Sequence, residues 1–200
     1  AKSERLETLQ MIFQDPQSAL NPRRMVESLL TQAMEADHRS HDADERSRRA
    51  GDLLREIGLP GDSRRRYPSQ LSGGQRQRVN IGRAICVAPK VLVADEIVSG
   101  LDVSVQAQIL NLLLRLREEF DISLLLISHD LSVVRYVCSR VFVMHEGRVV
   151  ESGPTEQVFA DPQHAYTRSL LAAVPPDDAD VPWPPQFREG GKSEAHATSD

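Results

Sequence analysis

The chain has 200 residues, of which 40 % are hydrophobic, and a formal net charge of −5. This length and apolar content suffice for one ordinary domain with a hydrophobic core. The acidic balance argues against a protein that binds nucleic acid through bulk positive charge. The sequence has no apolar run near the roughly 18 residues of a membrane-spanning helix, so we expect any link to a membrane to come through a partner.

Two cysteines, Cys86 and Cys138, lie far apart in the sequence and lack the spacing of a metal site or a disulfide framework. We predict that both are buried, small hydrophobic side chains. This cysteine usage is typical of a reducing compartment.

In chain order, short apolar and β-branched runs predict strands, and longer amphipathic runs predict helices. The predicted strands cover residues 9–13, 91–94, 122–128, 141–145 and 148–151. The predicted helices cover residues 45–57, 74–87, 103–120 and 131–138. The last two strands predict a hairpin that turns at Gly147. Because strands and helices alternate from residue 91 to residue 138, we expect an α/β fold with a mainly parallel sheet.

The section from residue 22 to residue 67 differs from its surroundings. It is charged and has helical patterns without strand signals, so we interpret it as a helical insertion in the α/β core. From residue 175 to residue 200 the chain is rich in Pro, Asp and Gly. Such a composition cannot bury enough apolar surface to become ordered, so we expect a flexible tail.

The strongest local signal is the pentapeptide LSGGQ, followed by a helical run. It consists of Leu71, Ser72, Gly73, Gly74 and Gln75. Two glycines before a helix let the backbone approach a ligand, and the first N–H groups of the helix lack internal partners. Together they favour an anion site, such as a phosphate site. The alternative is a simple helix cap and turn.

An apolar strand ends in the acid pair Asp95 and Glu96. Both carboxylates therefore lie at the carboxyl edge of a parallel sheet, where ligands bind in such folds. One carboxylate can hold Mg²⁺ through its water shell, and the next can orient and polarise an attacking water. The alternative is a strand that ends in solvated acids.

Three further polar residues are candidates for a functional site. His129 follows the third predicted strand, where an imidazole can contact a terminal phosphate, although such a histidine is often structural. Asp102 stands in a tight turn directly before a helix, which is typical of an N-cap. Gln14 follows the first strand and, taken alone, is a polar residue before a turn.

The order and spacing of these segments, from residue 9 to residue 153, resemble the ATP-binding-cassette (ABC) family of ATPases. Gln14 is similar to its Q-loop, residues 71–75 to its signature, and residues 91–96 to its Walker B strand with the catalytic glutamate. Residues 99–102 resemble its D-loop, and His129 resembles its switch histidine.

The resemblance implies a core of the P-loop NTPase type that carries an inserted helical subdomain. The partial ABC ATPase domain would cover residues 1–174. Within it the helical subdomain would cover about 22–87 and the C-terminal part of the core about 88–153. An extension of the peptide-importer type would follow over about 154–174.

The resemblance also implies ATP and Mg²⁺ as cofactors and assigns roles. Glu96 would activate the attacking water and His129 would steady the γ-phosphate. Asp95 and Gln14 would hold the metal, Asp95 through water. Nucleotide contacts would come from Gln14, Asp102 and the signature, the last acting across a head-to-tail dimer. The residues of the signature concerned are Ser72, Gly73, Gly74 and Gln75.

The implied partners are a second ABC ATPase subunit, identical or related, and transmembrane permease subunits. A solute-binding protein would take part indirectly, and nucleic acid is not expected. The implied location is the cytoplasmic face of the inner membrane, where the subunit would be peripheral.

Finer features resemble the subgroup that serves oligopeptide, dipeptide and glutathione importers. They are SALNPR at residues 18–23, YP at 67–68, LDVSVQAQ at 101–108, and PQHAYT at 162–167 with its continuation to Pro175. Taken alone, the last of these predicts a short amphipathic helix that covers the core. Both interpretations are compatible.

The 200 residues contain no Gly-x-x-x-x-Gly-Lys-Ser/Thr, the loop whose N–H groups cradle phosphates in this family. The run GGKS at residues 190–193 is rejected, because Gln186 stands where the first glycine is needed and no strand precedes it. We expect that the chain starts within a domain and is inactive alone.

Two positions depart from the family pattern. Ile97 stands where Pro is usual, and we expect little effect from this apolar replacement. Gly100 stands where Ala is usual, and it is expected to loosen the D-loop because glycine has more conformational freedom.

Two rival hypotheses remain. In the first, the chain is a degenerate or fragmentary subunit that lends its signature to a partner site without hydrolysing its own ATP. The intact Asp95, Glu96 and His129 argue against a degenerate origin. In the second, it is a relative that acts on DNA or ribosomes, but the basic surface or long insertion typical of those proteins is missing from the sequence.

Overall fold

The computed structural model describes residues 8–36 and 42–173. Its central sheet has three parallel strands in the order β1 (Leu9–Ile12), β2 (Val91–Asp95) and β3 (Ser123–Ile127). The ladder between β1 and β2 ends at the pair Ile12 and Ala94. The prediction of an α/β fold with a mainly parallel sheet is confirmed.

Between β1 and β2 the described residues form helices and no strand. The α-helices are α1 (Pro16–Ala19), α2 (Val26–Leu30), α3 (Gln32–Ala36), α4 (Ala43–Glu56) and α5 (Gly73–Ile85). Two short 3₁₀ helices, Gly61–Arg65 and Pro68–Gln70, precede α5. This agrees with the helical character predicted for residues 22–67, while the subdomain boundaries at about 22 and 87 stay a prediction.

After β2 the chain returns to the sheet through a long helix, α6 (Val103–Glu119), and continues from β3 into α7 (Leu131–Val137). The hairpin follows as β4 (Arg140–His145) and β5 (Arg148–Pro154). Its two turn residues, Glu146 and Gly147, have φ of 48° and 74°, as a type I′ turn requires. Two short helices end the described part, α8 (Thr155–Ala160) and α9 (Ala165–Ala172).

The hydrophobic core lies between the parallel sheet and the helices that flank it. Five apolar residues at helical spacing form one face of α6, of which four are buried and the fifth, Val105, is half-buried. The buried four are Ile109, Leu112, Leu113 and Leu116. Burial of these four side chains fixes α6 against the hydrophobic core, since each such side chain contributes about 1.5–3 kcal/mol when removed from water.

Arginines hold α4 and α5 to each other at their ends. Arg49 of α4 donates hydrogen bonds to the carbonyl oxygens of Ile85 and Cys86 at the end of α5. In return, Arg78 of α5 donates to the carbonyl oxygen of Ile57 at the end of α4, at 2.8 Å. The last carbonyls of a helix lack partners within the helix, so both ends are satisfied and the position of α5 is fixed.

The two cysteines differ in their burial. Cys86 is buried and Cys138 is half-buried, and burial raises the pKa of the Cys86 thiol to about 11. Within residues 8–36 and 42–173, none of the helices combines the length and the apolarity needed to cross a membrane. The tail predicted for residues 175–200 lies outside the described residues.

Candidate active site

Gln14, Glu96 and His129 meet at the carboxyl edge of the parallel sheet, and we call them the glutamate cluster. The Nε2 atom of Gln14 donates a hydrogen bond to Oε2 of Glu96 at 2.7 Å. The Nδ1 atom of His129 lies 2.9 Å from Oε1 of the same carboxylate. Each strand of the sheet thus supplies one member, from the residues that directly follow it.

The backbone at Glu96 is unusual. Its φ is 46°, a left-handed conformation that is uncommon outside glycine and clusters at functional sites. Its N–H donates to the carbonyl oxygen of Ile127 at 2.9 Å. This bond extends the pairing of β2 and β3 by one residue and aims the side chain at Gln14 and His129.

The electrostatics of the cluster favour a charged histidine. The hydrogen bond to Glu96 and the negative charge of that carboxylate raise the pKa of His129. The His129 side chain is 72 % exposed and the Glu96 side chain 28 %, so solvent screens this attraction. A ligand can therefore reach the histidine directly.

Asp95 ends β2, opposite Ile127 in the ladder, and is half-buried. The described residues contain no group of three or more His, Cys, Asp or Glu side chains that could hold a metal ion alone. Mg²⁺ commonly takes one or two carboxylates and completes its shell with water and substrate phosphates. The hard oxygens of Asp95 and Gln14 fit that demand, and their roles as metal ligands stay a prediction.

The signature begins α5 as a capping box. The N–H of Gln75 donates to Oγ of Ser72 at 3.3 Å, and the N–H of Ser72 donates to Oε1 of Gln75 at 3.0 Å. The simple cap, considered as an alternative from sequence, is therefore present. These bonds do not reach the glutamate cluster, and phosphate binding by residues 72–75 stays a prediction.

The two glycines of the signature lie against the start of α6. A Cβ atom on Gly74 would lie 2.7 Å from Cγ1 of Val105, a distance that would force a shift. A Cβ atom on Gly73 would meet Leu101 at 3.7 Å. A glycine at position 74 therefore permits the close approach of α5 and α6, whether or not it also serves a ligand.

Asp102 is the N-cap of α6. Its Oδ1 accepts hydrogen bonds from the Ser104 hydroxyl at 2.8 Å and the Val105 N–H at 3.0 Å. These two donors lower the pKa of the carboxyl group. The N-cap predicted from sequence is confirmed, and the nucleotide contact implied by the resemblance stays a prediction.

Sequence reasoning missed two buried residues that contact the loops of the site. Gln77 and Asn80 of α5 are 1 % and 0 % exposed. Their amides donate to the carbonyl oxygens of Ile97, at 2.8 Å, and Phe13, at 3.1 Å. In the sequence, both residues could have been recognised as amides at helical spacing among the apolar residues of α5.

A parallel sheet whose carboxyl edge gathers a glutamate, a histidine and a glutamine, beside a capped Gly-Gly helix, defines a domain of the ABC ATPase class. The family described as ABC transporter matches residues 2–99. The family described as oligopeptide/dipeptide transporter, C-terminal region, matches residues 150–196. The chain therefore belongs to the ABC transporter family, in its oligopeptide and dipeptide transporter group.

Curated relatives show the same similarity. A probable peptide ABC transporter ATP-binding protein of Sinorhizobium fredii is 50 % identical over 86 % of this chain and 48 % of its own length. A dipeptide transport ATP-binding protein of Lactococcus lactis is 47 % identical over 84 % of this chain and 54 % of its own length. A glutathione import ATP-binding protein of Pectobacterium atrosepticum is 49 % identical over 85 % of this chain and 27 % of its own length. The chain thus spans about half the length of the first two relatives and less of the third.

The fold of this chain resembles those of two solved structures. The cbiO1 protein of Clostridium perfringens, described as part of the ABC transporter complex cbiONQ, matches with a TM-score of 0.68 and 32 % identity. The match covers 78 % of this chain and 60 % of that one. An ATP-binding cassette described as a post-hydrolysis dimer bound to ADP and Pi matches with a TM-score of 0.66 and 28 % identity, over 76 % and 65 %. The prediction of an ABC ATPase fold is confirmed.

Proposed function

We propose that this chain belongs to an ATP-hydrolysing subunit that powers an ABC importer of peptides or similar small solutes. The observation that supports it most directly is the glutamate cluster, in which Gln14 and His129 each contact one oxygen of the Glu96 carboxylate. The curated relatives named as peptide, dipeptide and glutathione transport proteins support the solute class.

Glu96 is proposed as the base that activates the attacking water. Each carboxylate oxygen has two lone-pair sites, so hydrogen bonds from Gln14 and His129 still leave sites for a water proton. The two bonds fix the direction in which the carboxylate points, and fixed geometry is a prerequisite of general-base catalysis. His129, being exposed and favoured in its charged form, is proposed to contact the γ-phosphate.

Asp95 and Gln14 are the residues proposed to hold Mg²⁺ at this edge. When bound, the ion would neutralise charge that develops on the transferring phosphoryl group. Gln14 contacts Glu96 in the structure, and this contact supports the proposal that the glutamine responds to metal and nucleotide together. Its loop leads directly into the helices between β1 and β2.

The signature is proposed to act on the nucleotide of a second ATPase subunit in a head-to-tail dimer. In this chain, Ser72 and Gln75 bond each other, while the glutamate cluster forms on other elements. That separation favours a composite site in which Asp102 and residues 72–75 face the partner. The further partners proposed are transmembrane permease subunits and, indirectly, a solute-binding protein. The ATPase subunit itself is proposed to lie at the cytoplasmic face of the inner membrane as a peripheral protein.

The test is a comparison of ATP hydrolysis and peptide uptake by the full-length subunit assembled with its permease in proteoliposomes. Glu96→Gln removes the base but keeps the side-chain shape, so we expect turnover to fall by about 10²- to 10⁴-fold with ATP binding retained. Glu118→Gln is the matched control, because this carboxylate lies on α6 and is 75 % exposed.

Unchanged turnover in Glu96→Gln would show that the base is assigned wrongly. A wild-type subunit that binds a partner without any turnover would favour the rival hypothesis of a subunit that only lends its signature. Affinity for nucleic acid that falls steeply with added salt would instead favour the relative acting on DNA or ribosomes.

A further inference from the structure

Three polar side chains follow one face of α5, at positions i, i+3 and i+6, and we call them the polar ridge. They are Gln77, Asn80 and Arg83. The two amides are almost completely buried, at 1 % and 0 % exposure. Burying an amide is unfavourable unless it is hydrogen-bonded. Their bonding partners therefore indicate what the ridge does.

Each member of the ridge donates to a backbone carbonyl, and two of the three acceptors adjoin a member of the glutamate cluster in sequence. Gln77 donates to the carbonyl oxygen of Ile97, the residue after Glu96, at 2.8 Å. Asn80 donates to that of Phe13, the residue before Gln14, at 3.1 Å. Arg83 donates to that of Ala19, at the end of the short helix that follows Gln14.

The hydrogen bonds of Gln77 and Asn80 lie just beyond the end of the ladder between β1 and β2. The ladder between β1 and β2 ends at the pair Ile12 and Ala94. Beyond that pair, the side-chain hydrogen bond described between the two segments is the one from Gln14 to Glu96. The bonds to Phe13 and Ile97 lie in this interval, so α5 takes over from the sheet in setting the separation of the loops.

The chemistry of the amides argues against simple packing. The Oε1 atom of Gln77 is buried without a hydrogen-bond partner, so this residue incurs a cost that an apolar side chain of equal size would avoid. An apolar side chain could not supply the Nε2 donor that bonds to Ile97. The Oδ1 atom of Asn80 accepts from Arg83 at 3.1 Å, which fixes the direction in which the asparagine donates.

We propose that Gln77 and Asn80 are positioning residues for ATP hydrolysis, holding the Gln14 and Glu96 loops at the separation that the Gln14–Glu96 hydrogen bond requires. This proposal rests on the proposed function. Because Ser72 caps the same helix, α5 joins the signature at its start to the two catalytic loops along its side.

The main test uses Gln77→Met in the full-length subunit, since methionine keeps the length of the side chain and removes the donor. We expect kcat for ATP to fall by about 10- to 100-fold, because small displacements of catalytic groups have effects of that size. The KM for ATP should change less than kcat. Asn80→Asp, which keeps the shape and the acceptor for Arg83 but cannot donate to Phe13, should act in the same direction.

The second readout needs no ATP. Titration of His129 by NMR reports whether the Glu96 carboxylate still lies beside the imidazole. We expect the raised pKa of His129 to fall toward its ordinary value in Gln77→Met. This readout stays valid if the wild-type subunit has no turnover, so a failure of the proposed function and a failure of the ridge are distinguishable.

The matched control is Thr155→Val, which removes another buried side-chain bond to a backbone carbonyl, from the Thr155 hydroxyl to Cys138 at 2.6 Å. This variant should keep both kcat and the His129 pKa, even if the protein becomes less stable. Gln77→Met and Asn80→Asp variants that fold, keep wild-type kcat and leave the His129 titration unchanged would overturn the proposal.

Discussion

The ring of His145, the last residue of β4, stacks on the ring of Tyr166 in α9, with centroids 3.9 Å apart and planes inclined by 16°. Next to this stack, the carboxylate of Glu151 accepts hydrogen bonds from the N–H groups of Gln163, at 2.8 Å, and His164, at 3.0 Å. The C-terminal motif predicted from sequence is therefore attached to the hairpin through one stack and one carboxylate.

The first prediction concerns this attachment. Glu151→Ala removes the acceptor of two consecutive N–H groups, so hydrogen exchange at Gln163 and His164 should become faster than in the wild type. The control is Glu118→Ala on α6, which should leave both rates unchanged. Unaltered exchange in Glu151→Ala would mean that the carboxylate does not hold the loop.

The pH dependence of the same attachment has a definite sign. The Thr167 hydroxyl and the N–H groups of Gln163 and His164 lower the pKa of Glu151. A lowered pKa stabilises the folded form above the ordinary glutamate pKa, and this contribution is lost as the pH falls through the lowered value. Exchange protection at the two amides should therefore decrease in that acidic window.

The second prediction concerns His129. Because the hydrogen bond to Glu96 raises its pKa, an NMR titration should place the midpoint above the ordinary histidine value. The stabilisation from this pair is fully present below the ordinary pKa and is lost as the pH rises through the raised value. In Glu96→Gln the midpoint should return toward the ordinary value, and a midpoint unaffected by that change would contradict the contact.

The third prediction compares two glycines. Gly100 has φ of 73°, a left-handed conformation that disfavours a Cβ atom, so Gly100→Ala should lower the free energy of unfolding by about 1 kcal/mol. Gly51 lies inside α4 with open space around a Cβ atom. Gly51→Ala should raise the same quantity by about 0.5–1 kcal/mol. Denaturant unfolding measures both, and equal effects would contradict the backbone argument.

The fourth prediction concerns cysteine reactivity. Since burial raises the pKa of Cys86 to about 11, alkylation of this thiol at pH 8 should be at least about 100-fold slower than in the unfolded chain. A Cys138→Ser variant isolates the signal of Cys86 for mass spectrometry. Rapid labelling of the folded protein would show that the thiol is accessible.

The backbone at Gly100 changes the interpretation of that position. From sequence, a glycine where alanine is usual in the family predicts a looser D-loop. The looser D-loop stays a prediction, while the positive φ gives glycine a definite role, because the turn that leads to Asp102 adopts a conformation in which glycine carries no steric cost.

Short elements were the least predictable part of the fold. Helices α1, α2 and α3 have four or five residues each, too few for a hydrophobic period to be recognised. The N-cap of α1 comes from Asp15, which accepts from the N–H groups of Gln17 and Ser18. A cap of this kind is readable in a sequence only when the helix that follows is already suspected.

Local sequence patterns were enough to predict the strands of the sheet, the long helix α6 with its Asp102 cap, and the family. These features depend on local patterns: apolar runs, helical spacing, and residue types at fixed intervals. Tertiary structure alone decided that Gln14 would meet Glu96, 82 positions along the chain, and that Gln77 and Asn80 would support their loops. The physical reason is that such contacts depend on how strand ends and helix faces pack in space, and no local pattern of residues specifies that packing.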